Sequence, residues 1–535
     1  MNYVDTVTLM QILNDGGEYA LLDVRERARY ASGHLLLAIN LPLSGLELRI
    51  RRYVPRANSR IVLCDDGGGF AERAAEILSE GGYSDISVLE GGVGAWREAG
   101  HEVFRAHYAM TYAFGLYVEQ HYGTPSISAD ELKSAMDKGK PFVLVDARPI
   151  GEVGSATIPG ARSVPFSELA YRVRDLLPDD KTQLIVHCGA VTRGVLGTES
   201  LIEAGLENPI LMASNGVRGW AHAGHELERG CDRVCGPVSA KSLEFSLAAR
   251  SRITRNQDVG FITHEELSVW RDEAEQRTLH LVDIRSEEEY IAGHIAGSIS
   301  VIGSELVGLY EDHIGTLNGR VCLIDDNGCR AATVASWLTR MGWPDVAVLK
   351  DALSGGQLEV GHEPSRCLLA SPADTATIDA AQLTLSSVAE QSLAGEAGTA
   401  FLRLIRPHDY FGVLAYLPPE DKRLAPLLED FRRRVGSAAR CATTLGYGPR
   451  YLHSTGQLHK GGAENCVFVI VTAASSSDAA IPGEPYSFGV LELAQALGDF
   501  QSLDRAGRRV LHVQLPDRDP HRLRIVVDQL LAACA

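Results

Sequence analysis

The sequence is short of positive charge. Its 535 residues include 51 lysines and arginines against 69 aspartates and glutamates, which leaves a formal net charge of −18. Nucleic acids and anionic membranes are bound through basic patches, so this balance argues against both classes of partner. No apolar run reaches about 18 residues, so we expect no membrane-spanning helix. With 45% hydrophobic and 22% charged residues, the chain has the composition of an ordinary globular protein.

Cysteine is also scarce, with 10 residues in the whole chain. The N-terminal segment has no basic stretch before an apolar one, so no secretory signal is expected. The expected compartment is therefore the cytoplasm, where thiols stay reduced and no disulfide framework forms. Cys231 and Cys235 are spaced CxxxC, a poor match to zinc-binding CxxC pairs, so we expect no metal there. We expect no organic cofactor either.

One pattern occurs three times in the first two-thirds of the chain. An apolar run ends in Asp-x-Arg at Asp23, Asp146 and Asp283. A second apolar run, a polar loop and an amphipathic stretch follow, and the loop begins 42 residues after each aspartate, at Asp65, Cys188 and Asp325. A glycine-rich turn with a tryptophan follows in the first two copies, at Trp96 and Trp220. Landmarks held in register across three copies indicate triplication of one domain.

The alternation of strand-like and helix-like stretches predicts α/β domains with parallel sheets. We place three such domains at residues 1–107, 124–232 and 260–364, and a fourth α/β domain at 375–535 after a linker at 365–375. Open α/β sheets bind ligands beyond the carboxyl ends of their strands. The three polar loops are therefore the candidate sites.

The loop of the second copy carries the reactive chemistry. It consists of Cys188, Gly189, Ala190, Val191, Thr192 and Arg193 and lies between a predicted strand and a predicted helix. Backbone N–H groups and the helix dipole stabilise a thiolate at such a position and lower the pKa of the thiol. Arg193 adds a bidentate fork for an oxyanion, so the loop suits a donor such as thiosulfate. The alternative is an inert, buried core thiol.

Taken together, these motifs resemble the rhodanese, or sulfurtransferase, domain. The Asp-x-Arg strand, the Cys-x4-Arg loop and the glycine-rich tryptophan turn carry the resemblance, which extends over all three repeats. Domains of this family form a persulfide on the loop cysteine and pass its outer sulfur to a nucleophile. The resemblance implies Cys188 as the nucleophile, and residues 189–193 as the substrate-binding loop. Related phosphatase and arsenate reductase loops are longer by one residue, so this loop implies sulfur transfer.

The first and third repeats carry Asp65 and Asp325 where the second has its cysteine. A carboxylate cannot carry a sulfane sulfur, so each of these repeats is expected to be a scaffold or to bind a ligand without turnover. Strand alternation should aim Cys64 at the other face of the sheet. Cys329 lies inside the third loop, where it could be exposed, and is expected to have no role. The three Asp-x-Arg pairs are expected to be structural anchors, and the tryptophans packing residues.

The C-terminal segment shows a different pattern. Strands are predicted at 399–406, 410–417, 465–473 and 508–515, and helices at 424–435 and 520–534. A glycine-rich loop gathers residue types that suit phosphate or sugar binding: His453, Gln457, His459 and Lys460. The alternative is a polar turn with a satisfied histidine.

Two stretches of this segment, HSTGQLHKGG and PYSFGVLELAQALGDFQSL, resemble the C-terminal part of phosphoglucose isomerase, particularly the form fused to transaldolase. The resemblance implies a sugar-isomerase-type, flavodoxin-like fold, with His453 at the position that helps to open the sugar ring. The family's glutamate base and its N-terminal sugar-binding half have no equivalent here. We therefore expect weak sugar-phosphate binding at most, and no isomerase turnover.

The sequence as a whole predicts a multidomain sulfurtransferase. It would move sulfane sulfur from thiosulfate or a persulfide donor to a thiol or cyanide acceptor through Cys188. The expected partners are a small anionic sulfur donor and a thiol acceptor, with no nucleic acid and no membrane. Because two of the three loops lack the nucleophile, a non-catalytic scaffold or sensor that binds anionic metabolites is the alternative from another class.

Overall fold

The computed structural model describes residues 1–354, 358–363, 368, 376–378, 381–453, 455–474, 478–482, 484 and 486–532. The chain divides into two units, Met1–Pro364 and Ser365–Ala535. Within the described ranges, no helix is both long enough and apolar enough to cross a membrane. The linker predicted at 365–375 lies outside the described residues, apart from Leu368.

The first unit repeats one architecture three times. Each repeat is a five-stranded, wholly parallel sheet in which the strands, numbered along the repeat, lie in the order 1-5-4-2-3. The central strands are almost uninterrupted apolar runs, and Leu184, Ile185 and Val186 in the second repeat are fully buried. Such runs are typical of parallel strands that helices cover on both faces. The predicted parallel α/β architecture of the three repeats is confirmed.

The first repeat and the helix that follows it span residues 2–122. Its strands are β1 (Asn2–Val4), β2 (Ala20–Asp23), β3 (Ile39–Asn40), β4 (Ile61–Cys64) and β5 (Ile86–Leu89). Its helices are α1 (Thr6–Asn14), α2 (Arg27–Ser32), α3 (Leu46–Tyr53), α4 (Phe70–Glu80) and α5 (Gly92–Glu98), and the connecting helix is α6 (Ala109–Tyr122).

The second repeat has the same element order. Its strands are β6 (Ser126–Ile127), β7 (Phe142–Asp146), β8 (Arg162–Ser163), β9 (Gln183–His187) and β10 (Ile210–Ala213). Its helices are α7 (Ala129–Asp137), α8 (Ile150–Ser155), α9 (Leu169–Leu176), α10 (Thr192–Glu203) and α11 (Gly216–His222), and the next connecting helix is α12 (Ala240–Gln257).

The third repeat packs directly on the second. Its strands are β11 (Gly260–Ile262), β12 (Leu279–Asp283), β13 (Ile299–Ser300), β14 (Arg320–Ile324) and β15 (Asp345–Leu349), and its helices are α13 (His264–Asp272), α14 (Glu287–Ala292), α15 (Gly303–Gly308) and α16 (Cys329–Arg340). Helix α12 lies against both α9 and α16, and α6 lies against α10. The connecting helices are therefore part of the packed unit.

The second unit is a six-stranded mixed sheet in the order β16-β17-β21-β20-β18-β19, in which β17 is antiparallel to both of its neighbours and the last four strands are parallel. Its strands are β16 (Ala376–Ile378), β17 (Ala381–Leu385), β18 (Tyr410–Tyr416), β19 (Ala442–Tyr447), β20 (Cys466–Ala473) and β21 (Arg509–Leu515). Its helices are α17 (Ser387–Leu393), α18 (Ala425–Ala439), α19 (Gly456–Gly461), α20 (Phe488–Arg505) and α21 (Pro520–Ala532).

Most of the elements predicted for this unit are present, but one is wrong. The predicted strands at 410–417, 465–473 and 508–515 correspond to β18, β20 and β21. The predicted strand at 399–406 is instead a 3-10 helix over Gly398–Leu404, with Phe401 and Leu402 buried. A short, continuous apolar run does not distinguish a strand from a buried helical turn, because it has no periodicity.

Candidate active site

Cys188 lies directly after β9, in the loop that leads into α10. The glycine-rich turn before Trp220 holds this loop through its backbone. The N–H of Val217 donates to the carbonyl oxygen of Cys188 at 2.9 Å. Gly216 has a φ of +49°, and a Cβ there would lie 2.0 Å from that carbonyl oxygen, so no other residue fits without displacing the loop.

The thiol of Cys188 sits in a cradle of backbone amides. The backbone amides of Ala190 and Gly194 lie near its sulfur and favour the thiolate, and a Cβ on Gly194 would lie 3.6 Å from that sulfur. The side chain is nevertheless only 3% exposed. Burial raises the pKa of the Cys188 thiol, while Arg193 and the two amides act in the opposite direction. The predicted lowering of this pKa is therefore wrong for the enclosed thiol, because desolvation of the thiolate outweighs the local dipoles.

Arg193 does not extend freely into the loop. Its guanidinium donates to both carboxylate oxygens of Glu152, at 2.5 and 2.8 Å. Arg193 is 11% exposed at its side chain and Glu152 is 37% exposed. Glu152 was not identified in the sequence, although its place six residues after Asp146 is matched by Glu289 six residues after Asp283. The Arg193 guanidinium, which was predicted to bind an anionic sulfur donor, is thus paired with a carboxylate of the protein.

Two other parts of the first unit cover the loop. On one side, the Thr192 hydroxyl donates to the carbonyl oxygen of Thr111 in α6 at 3.1 Å, and a Cβ on Gly115 would lie 2.7 Å from Thr192 Cα. On the other side, a Cβ on Gly308 in α15 would lie 2.9 Å from Arg193 Cγ. The connecting helix α6 and the third repeat thus complete the walls around a site whose nucleophile belongs to the second repeat.

The Asp-x-Arg pairs are structural anchors, as predicted. Arg148 donates to both oxygens of Asp146, at 2.8 and 2.6 Å, and also to the carbonyl oxygen of Ala156. The first and third repeats repeat this pattern. The tryptophans are packing residues: Trp96 and Trp220 are buried, and each donates its indole N–H to a nearby carbonyl.

In the first repeat, the loop aspartate fills the cradle of its own loop. One oxygen of Asp65 accepts from the N–H of Gly67 at 2.8 Å, and the other accepts from the N–H groups of Phe70 and Ala71 at 2.9 and 3.3 Å. Gly67 and Ala71 stand two and six residues after Asp65, as Ala190 and Gly194 do after Cys188. Cys64, at the end of β4, is fully buried.

In the third repeat, the loop aspartate also binds the loop arginine. Asp325 accepts from the N–H of Ala331, again six residues on, at 3.2 Å, and from Arg330 Nε at 2.8 Å. Arg330 is fully buried and also pairs with Asp326, Glu289 and Glu168 of the second repeat. The expectation that Cys329 could be exposed is wrong. It is fully buried, because α12 covers the first turn of α16.

Two of the four residues predicted for a sugar-phosphate site in the second unit have polar partners within the fold. Gln457 is exposed. His459 is buried with its Nδ1 3.0 Å from the Tyr410 hydroxyl, and Lys460 forms an ion pair at 2.8 Å with the buried carboxylate of Asp499. His453 ends the 3-10 helix Arg450–His453, and its side chain lies outside the described part of the chain. His459 and Lys460 thus have structural partners.

Three parallel α/β domains, one of which holds a cysteine in an amide cradle at a helix start, define a tandem sulfurtransferase-type protein. Residues 6–99, 128–223 and 263–359 match the family model of the rhodanese-like domain, which is more than half of the chain. The chain therefore belongs to the rhodanese-like family. The sugar-isomerase type of the fourth domain, which was expected from the sequence, remains a prediction.

Individual relatives agree with this assignment. The chain is similar to a sulfurtransferase of Allochromatium vinosum, 28% identical over 100 residues, which are 19% of this chain and 92% of the relative. It is 37% identical over 70 residues to the thiosulfate sulfurtransferase PspE of Escherichia coli, covering 13% of this chain and 67% of the relative. It spans about half of E. coli YibN, at 53% of that protein's length.

A solved structure extends the likeness to all four domains. The crystal structure of a thiosulfate sulfurtransferase from Pseudomonas aeruginosa covers 100% of this chain and 97% of its own, with 29% identity and a TM-score of 0.70. The combination of three rhodanese-like repeats with the C-terminal mixed-sheet unit is therefore shared with that protein.

Proposed function

We propose that this protein is a cytoplasmic sulfurtransferase in which Cys188 carries the sulfur. One observation supports this most strongly. In the first and third loops of the same chain, a carboxylate oxygen of Asp65 or Asp325 accepts from the amide six residues on, and in the second repeat the residue at that position, Gly194, lies beside the sulfur of Cys188. The position of that sulfur is thus one at which this loop stabilises an anion, as a thiolate or a persulfide requires.

The reaction has two steps. The proton of Cys188 leaves to solvent, and the thiolate attacks the outer sulfur of the donor. The new S–S bond forms as the bond to the donor's inner sulfur breaks, and the leaving group, sulfite when thiosulfate is the donor, departs with the electron pair. A thiolate or cyanide acceptor then attacks the outer sulfur of the persulfide and releases Cys188 as thiolate.

The alternative, a scaffold that binds anionic metabolites through the Asp65 and Asp325 loops, has less support. Each carboxylate already accepts hydrogen bonds from the backbone amides that would hold such a ligand. A second negative charge at the same place would also be repelled. For the second unit, the ion pair of Lys460 with Asp499 keeps us from proposing sugar-phosphate turnover.

Turnover separates these functions. With thiosulfate as donor and cyanide or a dithiol as acceptor, wild-type protein should give thiocyanate or sulfide, and Cys188→Ser should give none above the uncatalysed rate. Cys329→Ser is the matched control, because that thiol is buried in the third loop and should leave turnover unchanged. Equal turnover by wild type and Cys188→Ser would reject the proposal, and complete absence of turnover would favour the scaffold.

A further inference from the structure

The ion pair between Glu152 and Arg193 in the second repeat recurs in the third. In the third repeat, Glu289 and Arg330 occupy the same two positions and form the same ion pair, at 2.8 Å. In the first repeat, the loop position holds Phe70, and the glutamate position holds an arginine that pairs with Asp66 instead. Within this chain, the glutamate is present in the two copies that keep the loop arginine and absent from the copy that lost it.

This pairing changes the charge that a donor meets at Cys188. Arg148, next to the loop, is already bound by Asp146, and Arg193 is bound by Glu152. The third repeat brings a further carboxyl group, since α15 lies against the stem of Arg193 and Glu305 on that helix interacts electrostatically with both Arg193 and Glu152. Both arginines thus have carboxylate partners, and what remains for an anion is chiefly the amide cradle.

We propose that Glu152 is a specificity-determining residue that makes the Cys188 site favour sulfane-sulfur donors with one negative charge over dianionic donors such as thiosulfate. This inference rests on the proposed function. A dianion must either displace Glu152 from Arg193 or stay beside the Glu152 carboxylate, with the Glu305 carboxyl group also within electrostatic range of that pair. A singly charged donor meets about half of that repulsion, because the Coulomb energy scales with the product of the charges.

Two donors that differ by one charge test this directly. Thiosulfate transfers its outer sulfur and releases sulfite, whereas the methanethiosulfonate anion transfers its outer sulfur and releases methanesulfinate. The same bonds form and break at Cys188 in both cases. The quantity to measure is the ratio of kcat/KM for methanethiosulfonate to kcat/KM for thiosulfate, which cancels effects that the two donors share.

For wild type, this ratio should exceed one. Glu152→Gln should lower it about tenfold, the effect expected of one charge on one additional donor charge at short range. Glu305→Gln should lower it less, because Glu305 makes no bidentate pair with Arg193. Glu289→Gln is the matched control, since it removes the equivalent carboxylate from the third repeat and should leave the ratio unchanged.

The results separate this inference from the proposed function. An unchanged ratio in Glu152→Gln, with Cys188-dependent sulfur transfer intact, would overturn the inference and leave the proposed function standing. Absence of a Cys188 persulfide with either donor would overturn both. Thermal unfolding of each variant confirms that the ratio is measured on folded protein, and Glu305→Gln provides a second measurement if Glu152→Gln does not fold.

Discussion

The loop of the second repeat and the loops of the first and third follow the same strand of the repeat but begin with different residues, a cysteine in one and an aspartate in the other two. At Cys188, the residues two and six positions on lie near a thiol sulfur and favour its thiolate. At Asp65, the amides at the same positions donate to the carboxylate oxygens. In the first and third repeats, the side chain of the loop aspartate thus accepts hydrogen bonds from its own loop.

The loop arginine follows the same division. In the second repeat, Arg193 is largely buried but its partner Glu152 is 37% exposed, and Glu152 is the only carboxylate within hydrogen-bonding distance of Arg193 among the described residues. In the third, Arg330 is buried and meets Asp325, Asp326, Glu289 and Glu168. The same arginine position thus has one carboxylate partner in the second repeat and four in the third, among the described residues.

Replacing each of these two arginines should give the largest difference in stability and turnover between changes in the second and third repeats. Arg330→Met should lower the free energy of unfolding of the first unit by about 3–5 kcal/mol, because buried carboxylates lose their cation. Arg193→Met should lower it by only about 1 kcal/mol, because Glu152 remains partly hydrated. Turnover should show the reverse order, with the larger loss in Arg193→Met, because Glu152 would then stand unpaired near Cys188 and repel an anionic donor.

Denaturant unfolding and turnover per folded molecule measure the two effects. Equal loss of stability in both variants would show that the two arginines do the same structural work, against this account.

A smaller effect is expected from the glycines behind the loops. A Cβ on Gly216 would lie 2.0 Å from the carbonyl oxygen of Cys188, and one on Gly92 would lie 2.2 Å from that of Asp65. Each alanine variant should lose about 2–3 kcal/mol of stability, because a strained positive φ is combined with a clash. Only Gly216→Ala should also lower the rate of persulfide formation. A matching loss of rate in Gly92→Ala would mean that the first loop contributes to the chemistry.

The pH dependence sharpens the comparison further. Because burial raises the pKa of the Cys188 thiol, the reactive thiolate is a minor species at neutral pH. Its fraction, and with it the single-turnover rate, should rise about tenfold per pH unit between about pH 7 and pH 8.5, the ordinary thiol value. Rapid mixing with donor at constant ionic strength measures this rate. A plateau below pH 8 would instead support the low pKa expected from the loop alone.

Much of this division could be predicted from the sequence. The register of Asp65, Cys188 and Asp325 identified three copies of one loop, and the apolar runs before them identified the parallel strands. These features are local, so a repeating pattern is enough to find them.

The enclosure of the nucleophile could not be predicted in this way. Helices α6 and α15 come from outside the repeat of Cys188, and only packing brings them against Thr192 and Arg193 of its loop. The direction predicted for the Cys188 pKa shift was wrong for the same reason. The loop dipoles can be inferred from the local sequence, whereas desolvation depends on packing. Glu152 could have been found from its equivalence with Glu289.

Intact mass after incubation with a sulfane-sulfur donor tests the central claim most directly. Wild-type protein should gain one sulfur atom, mapped by peptide fragmentation to Cys188, and should lose it again when a thiol acceptor is added. Cys188→Ser should gain none, although its first and third loops are intact. A sulfur adduct of equal extent on Cys188→Ser, or its location on Cys64 or Cys329, would contradict the account.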